Sequence, residues 1–94
     1  MERLFYGSAL CGETDVMYYL LVEENGASAR EYGLALDWNP GEYGVLVEKG
    51  EERTEIPALD SSRERVSGLL DRMVRGVVTP VSARDVAEDW LASQ

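Results

Sequence analysis

Three carboxylates, Asp85, Glu88 and Asp89, stand at i, i+3 and i+4. On a helix that spacing gathers them on one face, where their oxygens could hold a hard cation. Such an ion takes about six to eight oxygen ligands. Three carboxylates on one exposed helix rarely close a site unaided, so a solvated face is the expected reading. Arg65, Arg72 and Arg75 could form an anion-binding patch. Solvated pairing with nearby acids is the expectation there, because surface ion pairs are common and weak. Cys11 is the only cysteine, and there is no histidine. Without a His or Cys partner, Cys11 reads as a small half-buried residue near a turn, not as a reactive thiol. The missing histidine removes the commonest general base near neutral pH and the commonest metal ligand. No glycine-rich phosphate loop, cysteine pair or nucleophile elbow is present. The expectation is therefore a protein that is not an enzyme, with no catalytic, cofactor-binding or metal-ligating residues and no cofactor.

The elements that carry these residues are legible from their periods. Val66, Leu69, Leu70, Met73, Val74 and Val77 recur every three or four residues, which predicts a helix over about 61–76. Asp60 and Ser61 are good N-cap residues, and Ser61 with Glu64 fits a capping box. Asp71 and Arg75 make a favourable i, i+4 pair, and Gly76 offers a stop at C′. Thr79 and Pro80 open a second helix over about 80–92. Its apolar side is Ala83, Val86, Ala87, Trp90 and Leu91, and Arg84, Asp85, Glu88 and Asp89 face out. The short connection makes the two helices neighbours.

The first sixty residues read as strands. Leu4–Leu10 is a short, mixed first strand broken at Gly7 and again at Cys11-Gly12-Glu13. Val16–Glu24 puts Val16, Tyr18, Leu20 and Val22 on one face and Met17, Tyr19 and Leu21 on the other. Asn25-Gly26 is a hairpin turn signal, and Ala29–Trp38 returns with alternating Tyr32, Leu34, Leu36 and Trp38. A strand over Glu42–Glu48 and a charged edge strand over Glu51–Ile56, ending at Pro57, complete the set. The predicted fold is α+β: an antiparallel four- to five-stranded β-meander over about 2–57, in sequence order, with the helical hairpin packed on one face.

Tyr32, Leu34, Leu36, Tyr43, Val45 and Val47 form the expected bed for the helices. The opposite face should be polar if it met water. Instead Tyr19, Leu21 and Leu46 point there among Gly33, Ala35 and Gly44, a shallow apolar patch and the candidate interaction face. Three covers compete: the Leu4-Phe5-Tyr6 segment, a second copy of the chain, or a partner protein.

Length and charge bound the function. Ninety-four residues make one domain, residues 1–94, able to bury roughly 60–65% of its unfolded surface. The longest apolar run, Val16–Val22, is far too short to span a membrane, and no signal peptide is evident, so a cytoplasmic protein is expected. Net charge is −9, and residues 1–60 carry all of it, with four basic and thirteen acidic groups; residues 61–94 carry five of each. That balance argues against direct binding of nucleic acid, which needs clustered Lys and Arg.

Several stretches are similar to a known group. They are Tyr18-Tyr19-Leu20-Leu21-Val22-Glu23-Glu24, Glu31-Tyr32-Gly33-Leu34, Glu55-Ile56-Pro57, and Thr79-Pro80-Val81 leading to Asp85-Val86-Ala87-Glu88-Asp89-Trp90-Leu91. In these the chain resembles a family of short, uncharacterised bacterial proteins, mainly from anaerobic Gram-positive bacteria, which pair a Tyr-rich β-hairpin with a C-terminal helical hairpin. Those relatives open the last helix with Ser-Pro, where this chain has Thr79-Pro80, and often carry Phe at the place of Trp90. The resemblance implies the two-part fold and a bacterial cytoplasmic setting. It implies no activity.

The leading functional expectation is a non-catalytic protein-interaction or regulatory module, binding an unknown protein partner or forming a homodimer through the second sheet face. The alternative is an acidic decoy that mimics nucleic acid and occupies a basic protein, using Glu23, Glu24, Glu31, Glu48, Glu51 and Glu52.

Overall fold

Alternation along the strands decides which side chains the helices cover. The computed structural model describes residues 2–22 and 43–93. Four antiparallel strands, β1 (Glu2–Cys11), β2 (Thr14–Val22), β3 (Tyr43–Lys49) and β4 (Glu52–Asp60), lie side by side in that order. Two helices follow, α1 (Arg63–Arg75) and α2 (Pro80–Ala92). Val16, Tyr18 and Leu20 of β2 and Val45 and Val47 of β3 point into one core beneath the helices. Gly12 (φ 66°) and Gly50 (φ 60°) occupy the left-handed positions that the two tight hairpins require.

β2 and β3 pair directly, from Val16↔Lys49 to Val22↔Tyr43. The sequence had suggested a further strand between them. The segments involved, Asn25-Gly26 and Ala29–Trp38 with Tyr32, Leu34 and Leu36, lie outside the described residues. Tyr43, Val45 and Val47 do belong to the helix-covered side, as expected.

β1 is longer and less broken than its sequence suggests. It runs through Gly7 because a bulge absorbs one residue: Phe5 pairs with Tyr19, and Gly7 with the adjacent Tyr18. The bulge reverses the alternation. Before it, even positions such as Leu4 and Tyr6 face the core; after it, Ala9 and Cys11 do. The segment therefore read as mixed although each half is regular.

β4 carries the second irregularity. Tyr43 pairs with Asp60 and Val45 with Ile56, so the chain from Pro57 to Leu59 arches opposite Gly44. A Cβ on Gly44 would collide with the Ile56 carbonyl oxygen and lie 2.6 Å from Pro57 Cα. Ala58 takes a positive φ of 57° within the arch. Pro57 thus does not end the strand, as the sequence had suggested; it sits in the arch of an edge strand, where a missing N–H is tolerated.

Helix α1 is capped by Ser62, one residue beyond the expected Ser61. Its Oγ accepts from the Arg65 N–H at 3.3 Å, while Asp60 Oδ1 accepts from the Ser62 N–H at 2.8 Å. Val66, Leu69, Leu70 and Met73 are buried, as their period requires. The helix end also differs from expectation. Gly76 remains near helical geometry, and the positive φ (50°) falls on Val77. The Val78 N–H donates to Met73 O (2.9 Å) and the Val77 N–H to Val74 O (3.2 Å), a Schellman pattern with valine where glycine is usual.

Helix α2 starts at Pro80 after an extended Thr79, whose carbonyl accepts from Ser82 and Ala83. Pro80, Ala83, Ala87 and Trp90 are buried. Leu91, expected on that apolar side, is 43% exposed. Hydroxyls fasten the layers: among them, Tyr18 donates to Val78 O (2.8 Å) and Thr54 to Pro80 O (2.7 Å). No helix among the described residues is long and apolar enough to cross a membrane.

Candidate interaction face

The sheet face turned away from the helices is a grid set by register. Arg3, Leu21 and Gly44 form one row across the strands. Phe5, Tyr19, Leu46 and Glu55 form the next, and Ser8, Met17, Glu48 and Arg53 the third. Leu10 and Asp15 close it at the hairpin end. The face is divided. Over β1 and β2 it is mostly apolar; over β3 and β4 it is mostly ionic.

The sequence-derived face divides accordingly. Tyr19 is half-buried, Leu21 is 3% exposed and Leu46 is 0% exposed. Gly44 is buried as well, and its missing side chain makes room for the β4 arch, not for a visitor. Gly33 and Ala35 lie outside the described residues. Leu4-Phe5-Tyr6 is not a flap across this face: it is part of β1, in the plane of the sheet.

The accessible apolar groups are Phe5, 58% exposed, and Leu10, 65% exposed. Both face outward because the bulge lies between them. Phe5 meets Tyr19 edge to face, with ring centroids 5.7 Å apart. Arg3 lies over the same Tyr19 ring, 5.5 Å from its centroid, with its guanidinium 4.0 Å from Glu48. Half-buried Met17 extends the surface toward Leu10. The sequence signals for Phe5 and Leu10 were weak: Leu10 stands between the small residues Ala9 and Cys11 and reads as the inward member of that trio.

Beside this surface, Arg3, Leu21, Arg53 and Glu55 line a shallow, open depression of about 360 Å³. Arg53 is paired with Glu55 on the same strand. Both arginines thus already have carboxylate partners.

The other sequence candidates are dispersed. Asp85, Glu88 and Asp89 are exposed on α2, and no group of three potential metal ligands occurs among the described residues. Arg65 pairs with Asp60 at 3.5 Å. Arg75 donates to the Asp71 backbone carbonyl at 3.4 Å, because the Asp71 carboxylate is turned to Tyr6. The Tyr6 hydroxyl donates a hydrogen bond to Asp71 Oδ1 at 2.5 Å, with Ser67 O a further 3.2 Å acceptor. That hydrogen bond, then burial and the carboxylate charge, raise the Tyr6 pKa above the ordinary tyrosine value. Burial, then the nearby Cys11, raise that of Tyr18. Both shifts belong to groups that join the sheet to the helical layer. Cys11 itself is free and half-buried.

A four-stranded antiparallel meander with a C-terminal helical hairpin on one face and a divided apolar and ionic face on the other defines a small α+β protein. The model of a family of unknown function, DUF6514, matches residues 1–93, and the chain belongs to that family. No curated protein and no solved structure matches it.

Proposed function

We propose that this protein is a non-catalytic protein-interaction module that engages its partner through the outer face of β1 and β2. The observation that carries the reading is the pair Phe5 and Leu10, two large apolar side chains held in water on one face. Phe5 is backed by Tyr19 and Arg3, and half-buried Met17 widens the surface, so its side chains are partly ordered before a partner arrives. Aromatic and arginine side chains on a rigid sheet suit an interface core. Leu21 and Leu46 share this face but are buried, so they offer a partner no accessible surface.

The decoy reading draws less support. Glu48 lies at ion-pair distance from Arg3 and Glu55 is paired with Arg53, so part of the carboxylate surface is neutralised within the chain. Glu23, Glu24 and Glu31 lie outside the described residues.

Affinity capture with the wild-type chain and with a Phe5→Ser/Leu10→Ser variant tests the proposal, with light scattering of both to detect a homodimer. A partner, or a dimer, present for the wild type and lost in the equally folded variant is the expected result. The same captured proteins and the same mass for both chains would refute it.

A further inference from the structure

We infer that the partner of this face is a basic amphipathic segment of another protein, with apolar side chains to cover Phe5 and Leu10 and Lys or Arg side chains to meet the carboxylates beside Leu10. The inference rests on the interaction-module reading and adds the chemistry of the partner.

The charges bordering the apolar groups carry it. Asp15 is the direct cross-strand partner of Leu10, and Glu13 stands in the turn between them. Both are exposed, and neither is in an ion pair among the described residues. The nearby cations are differently placed. Arg3 is turned to Tyr19 and Glu48, and Arg53 to Glu55. Exposed Leu10 is thus bordered by carboxylates that meet no cation among the described residues. A cationic ligand gains attraction there and is steered from a distance by the acidic chain.

A second copy is a poorer occupant. A two-fold interface brings identical surfaces together, so each copy would meet the partner's Glu13 and Asp15 groups and its net charge of −9. Edge-to-edge pairing through β1 is also hindered, because the bulge at Phe5–Gly7 twists that edge. A neutral apolar partner would leave the rim carboxylates without a counterpart.

The test uses a labelled short peptide of alternating lysine and leucine, with a glutamate–leucine peptide as control. Anisotropy would be read for the wild type, Phe5→Ser/Leu10→Ser and Glu13→Gln/Asp15→Asn. The lysine peptide should bind the wild type, and the glutamate peptide should not. Loss of two apolar contacts should weaken binding about tenfold or more. The amide variant should bind more weakly at low salt and show a smaller salt dependence. Equal binding to Phe5→Ser/Leu10→Ser would reduce the effect to general attraction by an acidic chain and overturn the inference. Absence of binding to the wild type would overturn it too. Self-association in light scattering, abolished by Phe5→Ser/Leu10→Ser, would overturn the basic partner yet leave the interaction-module reading standing. No peptide binding and no self-association, with no captured partner, would remove both.

Discussion

The Tyr18 hydroxyl donates to the Val78 carbonyl oxygen across 2.8 Å, joining the second strand to the link between the two helices. The bond spans sixty residues of sequence and fixes the helical hairpin over the sheet. Tyr18 is fully buried, so its hydroxyl needs a partner. Tyr18→Phe removes the donor while keeping the ring. We expect a loss of about 1 kcal/mol in urea unfolding. No change in midpoint would mean that the bond contributes nothing.

The same tyrosine and Tyr6 predict an alkaline transition. Each has a folded pKa above the ordinary 10.0. Below that value both are neutral in the folded and unfolded chain, and stability is full. As pH rises past it, the unfolded chain releases these protons first, so stability falls until the raised folded pKa is passed. The melting temperature should drop above pH 10 and drop less in a Tyr6→Phe/Tyr18→Phe variant. Parallel curves for the two proteins would contradict the assignment.

Gly44 faces the β4 arch at a distance no side chain tolerates. Gly44→Ala would drive a methyl group into the Ile56 carbonyl, which is backbone and cannot rotate away. We expect a loss of about 1–3 kcal/mol, as for overpacking of a tight core. An unchanged thermal midpoint would show that the arch yields easily.

Val77 holds a left-handed conformation that favours glycine. Val77→Ala and Val77→Gly both discard the half-buried side chain, but only glycine sheds the strain. Val77→Gly should therefore be the more stable of the two by about 1 kcal/mol, the reverse of their order within a helix. Denaturant unfolding of the pair decides it.

Leu46 belongs to the face expected from alternation and Leu10 does not, yet Leu10 is the one that meets water. Leu46→Ala should cost about 2–5 kcal/mol, because the side chain is wholly buried. Leu10→Ala should change stability by less than about 0.5 kcal/mol. Similar losses for both would contradict the division of this face into buried and accessible residues.

Elements with a strong period were legible before the structure. The α1 stripe from Val66 to Met73 and the start of α2 at Pro80 followed from 3.6-residue spacing and from proline's fixed φ. The α+β class followed from their order. What escaped was set by tertiary geometry. A bulge at Phe5–Gly7 reverses the face of every later residue in β1, and a single sequence does not announce where a strand slips. Gly44 read as the floor of a patch because its collision partner, Ile56, lies on the next strand. The positive φ beside Gly76 fell on Val77, since the Schellman pair to Met73 and Val74 fixes which residue turns. Of the candidate face, Tyr19, Leu21 and Leu46 lie on the side away from α1 and α2, but which side chains meet water depended on the bulge.

Amide hydrogen exchange of the chain, free and saturated with its captured partner, tests the central claim most directly. The account predicts new protection in β1 and β2, around Phe5, Leu10 and Tyr19, with little change in α1 and α2. Protection confined to the helices, with β1 and β2 exchanging as in the free chain, would contradict it.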